Sequence, residues 1–219
     1  FTVDSQNNLK EEDFFRIYDL IESVGRFELL NLRKNNETQR KKLFKESFVT
    51  GSSKKSRSLY IGQIWEDINK EIESYKDVQD IVLKKVKINE QIWNSSMEQY
   101  LPPGEQYIRK ALRFSLSSPF TFDGAQQAAE IIKIYKEASD FAIRLITVGN
   151  TPSETPSAET NFKSILVESL GDDEQDKLIV LDYIIIDFVL ENYNLSSSQI
   201  KSAISAYDLV DHPEVQVQI

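Results

Sequence analysis

Seven Lys or Arg stand between Arg40 and Arg57 against one acid, Glu46, in a chain whose formal net charge is -9. A Gly-Ser stretch separates two apolar runs just before Lys54, Lys55 and Arg57. Side chains of this kind can hold one or two phosphates, Arg as a two-pronged fork and Lys as a point charge. The parts for other chemistries are missing. His212 is the one His and Cys is absent, so no His-Glu-x-x-His or Cys pair exists to ligate a metal. A Ser-His-Asp triad would have to recruit His212 from the chain's tail. "GSSKKSRS" lacks the second Gly and the preceding strand of a phosphate-binding loop. Asp172, Asp173, Glu174 and Asp176 cluster ahead of an apolar helix, where acids suit the positive end of the helix dipole. An all-helical enzyme with an acidic site on Asp172–Asp176 is the rival from the catalytic class. The leading expectation is a binding protein, not an enzyme, with no cofactor and no metal.

Composition narrows the partners. With 219 residues, 40% hydrophobic and 28% charged, the chain has the make-up of a globular protein able to bury a real core. No apolar run approaches a membrane span, and the lack of Cys excludes disulfides, so a cytoplasmic protein without a membrane partner is expected. Residues 1–110 carry 19 basic and 18 acidic groups, net +1; residues 111–219 carry 7 and 17, net -10. That balance disfavours nucleic acid, whose backbone rewards positive surface.

The elements that must hold these residues read as helices. Apolar residues recur at three and four: Phe14, Ile17, Tyr18, Ile21 and Val24; then Leu43, Phe44 and Phe48; then Tyr60, Ile61, Ile64, Trp65, Ile68 and Ile72; then Val78, Ile81, Val82, Ile88, Ile92 and Trp93. Arg26-Phe27 is expected to end the first helix, and Pro102-Pro103 the fourth. "GEQYIRKALRFSL" and "AQQAAEIIKIYKEASDFAIRLITVG" follow, the latter with a Gly149-Asn150 cap. "NTPSETPSAET" reads as a loop whose Thr and Ser are open to modification. "NFKSILVESL" ends at Gly171, "DKLIVLDYIIIDFVLENY" is apolar nearly all round, and the last helix opens on a Ser196-x-x-Gln199 capping box. Trp65 and Trp93 are expected in the core, and the alternation in "EVQVQI" is thin support for a strand. The fold expected is all-α, an antiparallel arrangement of eight or nine helices in one domain over residues 1–219.

Four segments now matter in order: "IESVGRFELL" (21–30), "RKKLFKESFVTGSSKKSRSL" (40–59), "YIRKALRFSL" (107–116) and "NFKSILVESL" (161–170). This collinear series resembles the 14-3-3 family over most of the chain. The resemblance implies an all-helical cup, dimeric as a homodimer or heterodimer through residues 1–50, with Arg26-Phe27 at the border of that interface. Residues 51–219 would form a groove for phosphoserine or phosphothreonine segments of partner proteins. In that family a Lys, two Arg and a Tyr hold the phosphate, and an Asn grips the peptide backbone. Carried onto this chain, the Lys falls on Val49, the first Arg on Ser56 between Lys55 and Arg57, and the Arg-Tyr pair on Arg113-Phe114. The Asn falls on Asn161, the acid that orients the basic groups on Glu168, an apolar groove contact on Ile204, and a second Asn on Asp208.

The pocket therefore departs from the family at Val49, Ser56, Phe114 and Asp208. A hydrogen bond to a charged group contributes roughly 1.5–3 kcal/mol, so losing two costs roughly 3–6 kcal/mol. Lys55 and Arg57 are the residues able to compensate. The departures motivate an alternative, a pseudo-adapter that keeps the scaffold and binds unphosphorylated, acidic segments. Each residue also has a plainer reading: Lys54, Lys55 and Arg57 as a solvated helix start, Arg113 as a side chain snorkelling from a core face, Asn161 as a helix cap, Glu168 as an exposed helical acid.

Overall fold

The computed structural model describes residues 1–4, 8–50, 53–101, 128–147, 160–171, 174–209, 212–213 and 215. Among them there are seven α-helices and no strand: α1 (Glu11–Phe44), a π-helical turn (Lys45–Val49), α2 (Lys54–Val86), α3 (Glu90–Tyr100), α4 (Ala128–Thr147), α5 (Thr160–Leu170), α6 (Glu174–Tyr193) and α7 (Ser197–Ala206). The fold is all-α. No described helix is long and apolar enough to cross a membrane. The helix expected over "GEQYIRKALRFSL", the Gly149-Asn150 cap, the "NTPSETPSAE" stretch and most of "EVQVQI" lie outside the described residues.

Helix boundaries differ from expectation in three places. Arg26-Phe27 does not end the first helix: α1 runs 34 residues through it. Its acids Glu11, Glu12 and Asp13 and its final Lys41 and Lys42 complement both ends of the dipole. Gly25 serves close packing instead of a stop, since a Cβ there would sit 3.2 Å from the Tyr75 ring. The segments holding Tyr60–Ile72 and Val78–Val82 form one helix, α2. Conversely, Val78 and Trp93 belong to different helices. Lys87 takes φ 59° and ends α2, with the Ile88 N–H donating to the Leu83 carbonyl at 3.0 Å. Asn89 then caps α3 by accepting from the Ile92 N–H at 2.8 Å.

The helices resolve into two compact units. The first comprises Phe1–Arg33 and the described residues from Ile68 to Leu101. Its core joins Phe14, Ile17, Tyr18 and Ile21 of α1 to Val78, Val82 and Leu83 of α2 and Trp93 of α3. The rings of Phe14 and Trp93 stack with centroids 5.0 Å apart. Val24, expected in this stripe, is instead exposed, as are Leu20 and Phe27. These three follow one another at i, i+4 and i+7 along one face of α1.

The second unit comprises Lys34–Asp67 and the described residues from Ala128 onward. It is built on Phe44, Phe48, Tyr60, Phe141, Phe162 and Phe188, whose rings meet in a chain of contacts. As expected from its composition, α6 is deeply buried, through Val180, Leu181, Ile184, Ile185, Ile186 and Val189. Trp65 is only half-buried, with its indole N–H enclosed and, among the described residues, unpartnered. Gly171 ends α5 at φ 69°, a conformation that costs a side-chain-bearing residue. The capping box is present: the Ser196 N–H donates to Gln199 Oε1 at 2.8 Å, and the Gln199 N–H to Ser196 Oγ at 3.3 Å.

Buried charge ties the second unit together. The Arg40 guanidinium donates to both Asp187 oxygens, at 3.0 and 3.2 Å, and to Asp67 Oδ2 at 2.6 Å. The Tyr60 hydroxyl donates to Asp187 at 2.7 Å, and the Gln63 amide to Asp67 at 2.9 Å. Nearby, buried Glu37 accepts from the backbone N–H and hydroxyl of Ser197, at the first turn of α7. Burial pushes the Glu37 carboxyl above its ordinary value, against the pull of the Ser197 hydrogen bonds and of Arg40. A carboxyl raised in this way contributes stability in full below its unfolded-state pKa and loses it as pH rises through the native value. Glu37→Gln keeps an oxygen for Ser197 and sheds the penalised charge. It is expected to be more stable than the parent at pH 7.5, by about 1 kcal/mol, with the gap closing in acid. Urea midpoints at the two pH values check both halves of this expectation.

Candidate functional site

The basic residues are set by the junction between α1 and α2. The π-helical turn closes with the Thr50 N–H donating to the Lys45 carbonyl at 2.9 Å. Five residues, not four, separate donor and acceptor, which rotates the following side chains relative to α1. Ser47 is buried and Val49 exposed. Ser53 then caps α2: its Oγ accepts from the Ser56 N–H at 3.0 Å, and its carbonyl accepts from the Arg57 N–H at 3.2 Å. The cap fixes Lys54 as the first helical residue. The opening turn of α2 holds no acid, so Lys54 and Lys55 oppose the positive end of the helix dipole.

An acid from another helix offsets this. Lys54 Nζ lies 2.9 Å from Glu168 Oε1 and 2.6 Å from Oε2. Glu168 lies on α5, 114 residues away. Asn161 stands seven residues before Glu168 in the sequence; its side chain lies outside the described part. Lys55 is exposed beside Lys54, and Ser56 is half-exposed with its hydroxyl donating to the Ser53 carbonyl at 2.9 Å. The last turns before the junction add exposed Lys42 and Lys45, and Lys41 donates to the Leu190 carbonyl at 3.3 Å. Glu191 lies 3.7 Å from Lys41 and 3.8 Å from Lys45.

Arg57 takes a different place from the ligand-facing one that the resemblance implies. It is only 3% exposed. Its Nε donates to the Ser47 carbonyl at 3.3 Å, and its guanidinium lies 5.4 Å from the Phe48 ring centre and 5.9 Å from that of Phe162. The reason is helical phase: two residues rotate a side chain by about 200°, so Arg57 faces inward where Lys55 faces out. Arg113 and Phe114 lie outside the described residues. Ile204 is half-buried on α7, and Asp208 is exposed just beyond it, with φ 54°.

Thus the structure joins Glu168 to the basic turn through Lys54. In the sequence Lys54 stands in the basic cluster as part of a solvated helix start and not among the ligand-binding residues; the Ser53-x-x-Ser56 pattern marks that start. Among the described residues no group of three His, Asp or Glu is arranged to hold a metal. Asp172 and Asp173 lie outside them. The chain matches no family model, no curated protein and no solved structure in the comparisons made with known proteins.

Proposed function

We propose that this chain is an adapter of the 14-3-3 type, which binds an anionic, phosphorylated segment of a partner protein and catalyses nothing. The observation that carries the reading is the Lys54–Glu168 contact, which brings the lysine-rich first turn of α2 to α5, the helix that holds Asn161. A cationic helix start suits a phosphate, and Asn161 is the residue that the resemblance assigns to the flanking peptide backbone. The antiparallel helical cup and the use of the N-terminal helices for dimerisation belong to the same proposal. In their favour, Leu20, Val24 and Phe27 form an exposed apolar stripe on α1. A cytoplasmic location is part of it as well.

Fluorescence anisotropy with an Arg-rich phosphoserine peptide and its unphosphorylated twin tests the reading. The phosphopeptide is expected to bind at least tenfold tighter, and Lys54→Gln with Lys55→Gln to abolish the difference. Equal binding of both peptides would replace it with a second reading, recognition of unphosphorylated acidic segments. The burial of Arg57 and the exposed valine at position 49 favour that alternative, because both reduce what the face can offer a phosphate.

A further inference from the structure

We infer that Glu168 is a built-in competitor, a carboxylate that holds Lys54 in the place of the partner's anion and so sets which anions can enter. This inference rests on the binding face proposed above and concerns how that face discriminates. Both Glu168 oxygens lie within hydrogen-bond distance of one ammonium, at 2.9 and 2.6 Å. A carboxylate on an incoming ligand would use the same contact. The pair is not a product of helical spacing, since its members come from α2 and α5.

The pair is also open to exchange. The side chains of Lys54 and Glu168 are 60% and 57% exposed. An exposed ion pair contributes about 0–1 kcal/mol, which corresponds to at most about fivefold in an equilibrium constant. A ligand carboxylate would merely trade places with Glu168. A phosphate brings nearly twice the charge and three acceptor oxygens, so it can displace Glu168 and engage neighbouring Lys55 as well. Glu168 thereby penalises both ligands and leaves a net gain mainly to the stronger one. Its removal should help the weaker ligand more.

The test uses the full chain, a phosphoserine peptide and the same peptide with Glu at that Ser. Glu168→Gln is expected to tighten both peptides by up to about fivefold, more for the Glu peptide, and so to narrow the preference for phosphate. In the background of Lys54→Gln the same change should do nothing, because the contested ammonium is gone. Unchanged thermal unfolding of each variant identifies the effect as one on binding. If the parent chain binds the phosphopeptide and Glu168→Gln binds it equally or more weakly, Glu168 is a neutral or supporting residue and this inference alone falls. If neither the parent nor Glu168→Gln binds either peptide, the adapter reading falls with it. Binding by Glu168→Gln where the parent shows none would support both.

Discussion

Arg40→Ala is expected to destabilise the second unit by about 3–5 kcal/mol, the usual cost of leaving a buried charge without its partner. Arg40 is 2% exposed, and Asp67 and Asp187 are fully buried. One cation thus serves two carboxylates, with the Tyr60 hydroxyl and the Gln63 amide completing their shells. Burial by itself would lower the Arg40 pKa, but Asp187, Tyr60 and Asp67 together more than offset it and the guanidinium stays firmly charged. Burial likewise raises the Asp187 carboxyl, and Arg40 is the chief influence holding it down. Removing Arg40 leaves Asp187 more easily protonated still. Because a raised carboxyl stabilises the fold in acid and loses that contribution as pH rises, the damage should be greatest at pH 7.5 and smaller at pH 4.5. Arg40→Lys should recover little, since one ammonium cannot reproduce a fork that meets Asp187 twice and Asp67 once. Chemical denaturation of the three proteins at both pH values reads these effects. A loss that is independent of pH would mean the damage comes from an unfilled volume and not from charge.

What was legible in the sequence is the part written in neighbouring residues. Apolar spacing identified the helices, and the Ser196-Gln199 box and Gly171 marked two of their ends correctly. Asn89 was an equally local signal for the start of α3, hidden because Ile88, Ile92 and Trp93 continue the apolar rhythm of α2. Arg26-Phe27 misled in the opposite sense, because the Gly25 before it packs against the Tyr75 ring of another helix and α1 continues. Arg40 illustrates the larger limit. In the sequence it opens a run of cations and reads as surface, yet its partners lie 27 and 147 residues away. Nothing within a window around Arg40 encodes them. Lys54 and Glu168 show the same separation at the candidate site: each letter is ordinary, and only the packing of α5 near the α2 start gives the pair meaning.

Arg57 and Lys55 stand two residues apart, and their alanine variants should fail in opposite ways. Arg57→Ala is expected to lose about 3 kcal/mol of stability. A hydrogen bond from a charged donor to a carbonyl contributes about 1.5–3 kcal/mol, and stacking over an aromatic ring adds about 0.5–2 kcal/mol where the cation is desolvated. The Ser47 carbonyl lies at the end of the π-helical turn, where no following residue of the same helix can serve it. Phe48 and Phe162 would each lose the same covering group, so the junction and α5 would loosen together. Lys55, by contrast, is exposed at the opening turn of α2, where its charge opposes the helix dipole. Lys55→Ala should leave stability within about 0.5 kcal/mol of the parent and weaken the phosphopeptide severalfold. Thermal unfolding and anisotropy on both variants separate the two roles. If Arg57→Ala proved as stable as the parent and bound the phosphopeptide poorly, its guanidinium would turn outward to meet the ligand. The aromatic packing would then be the resting state of a phosphate-binding arginine, and the site would possess the fork that Lys54 and Lys55 cannot supply.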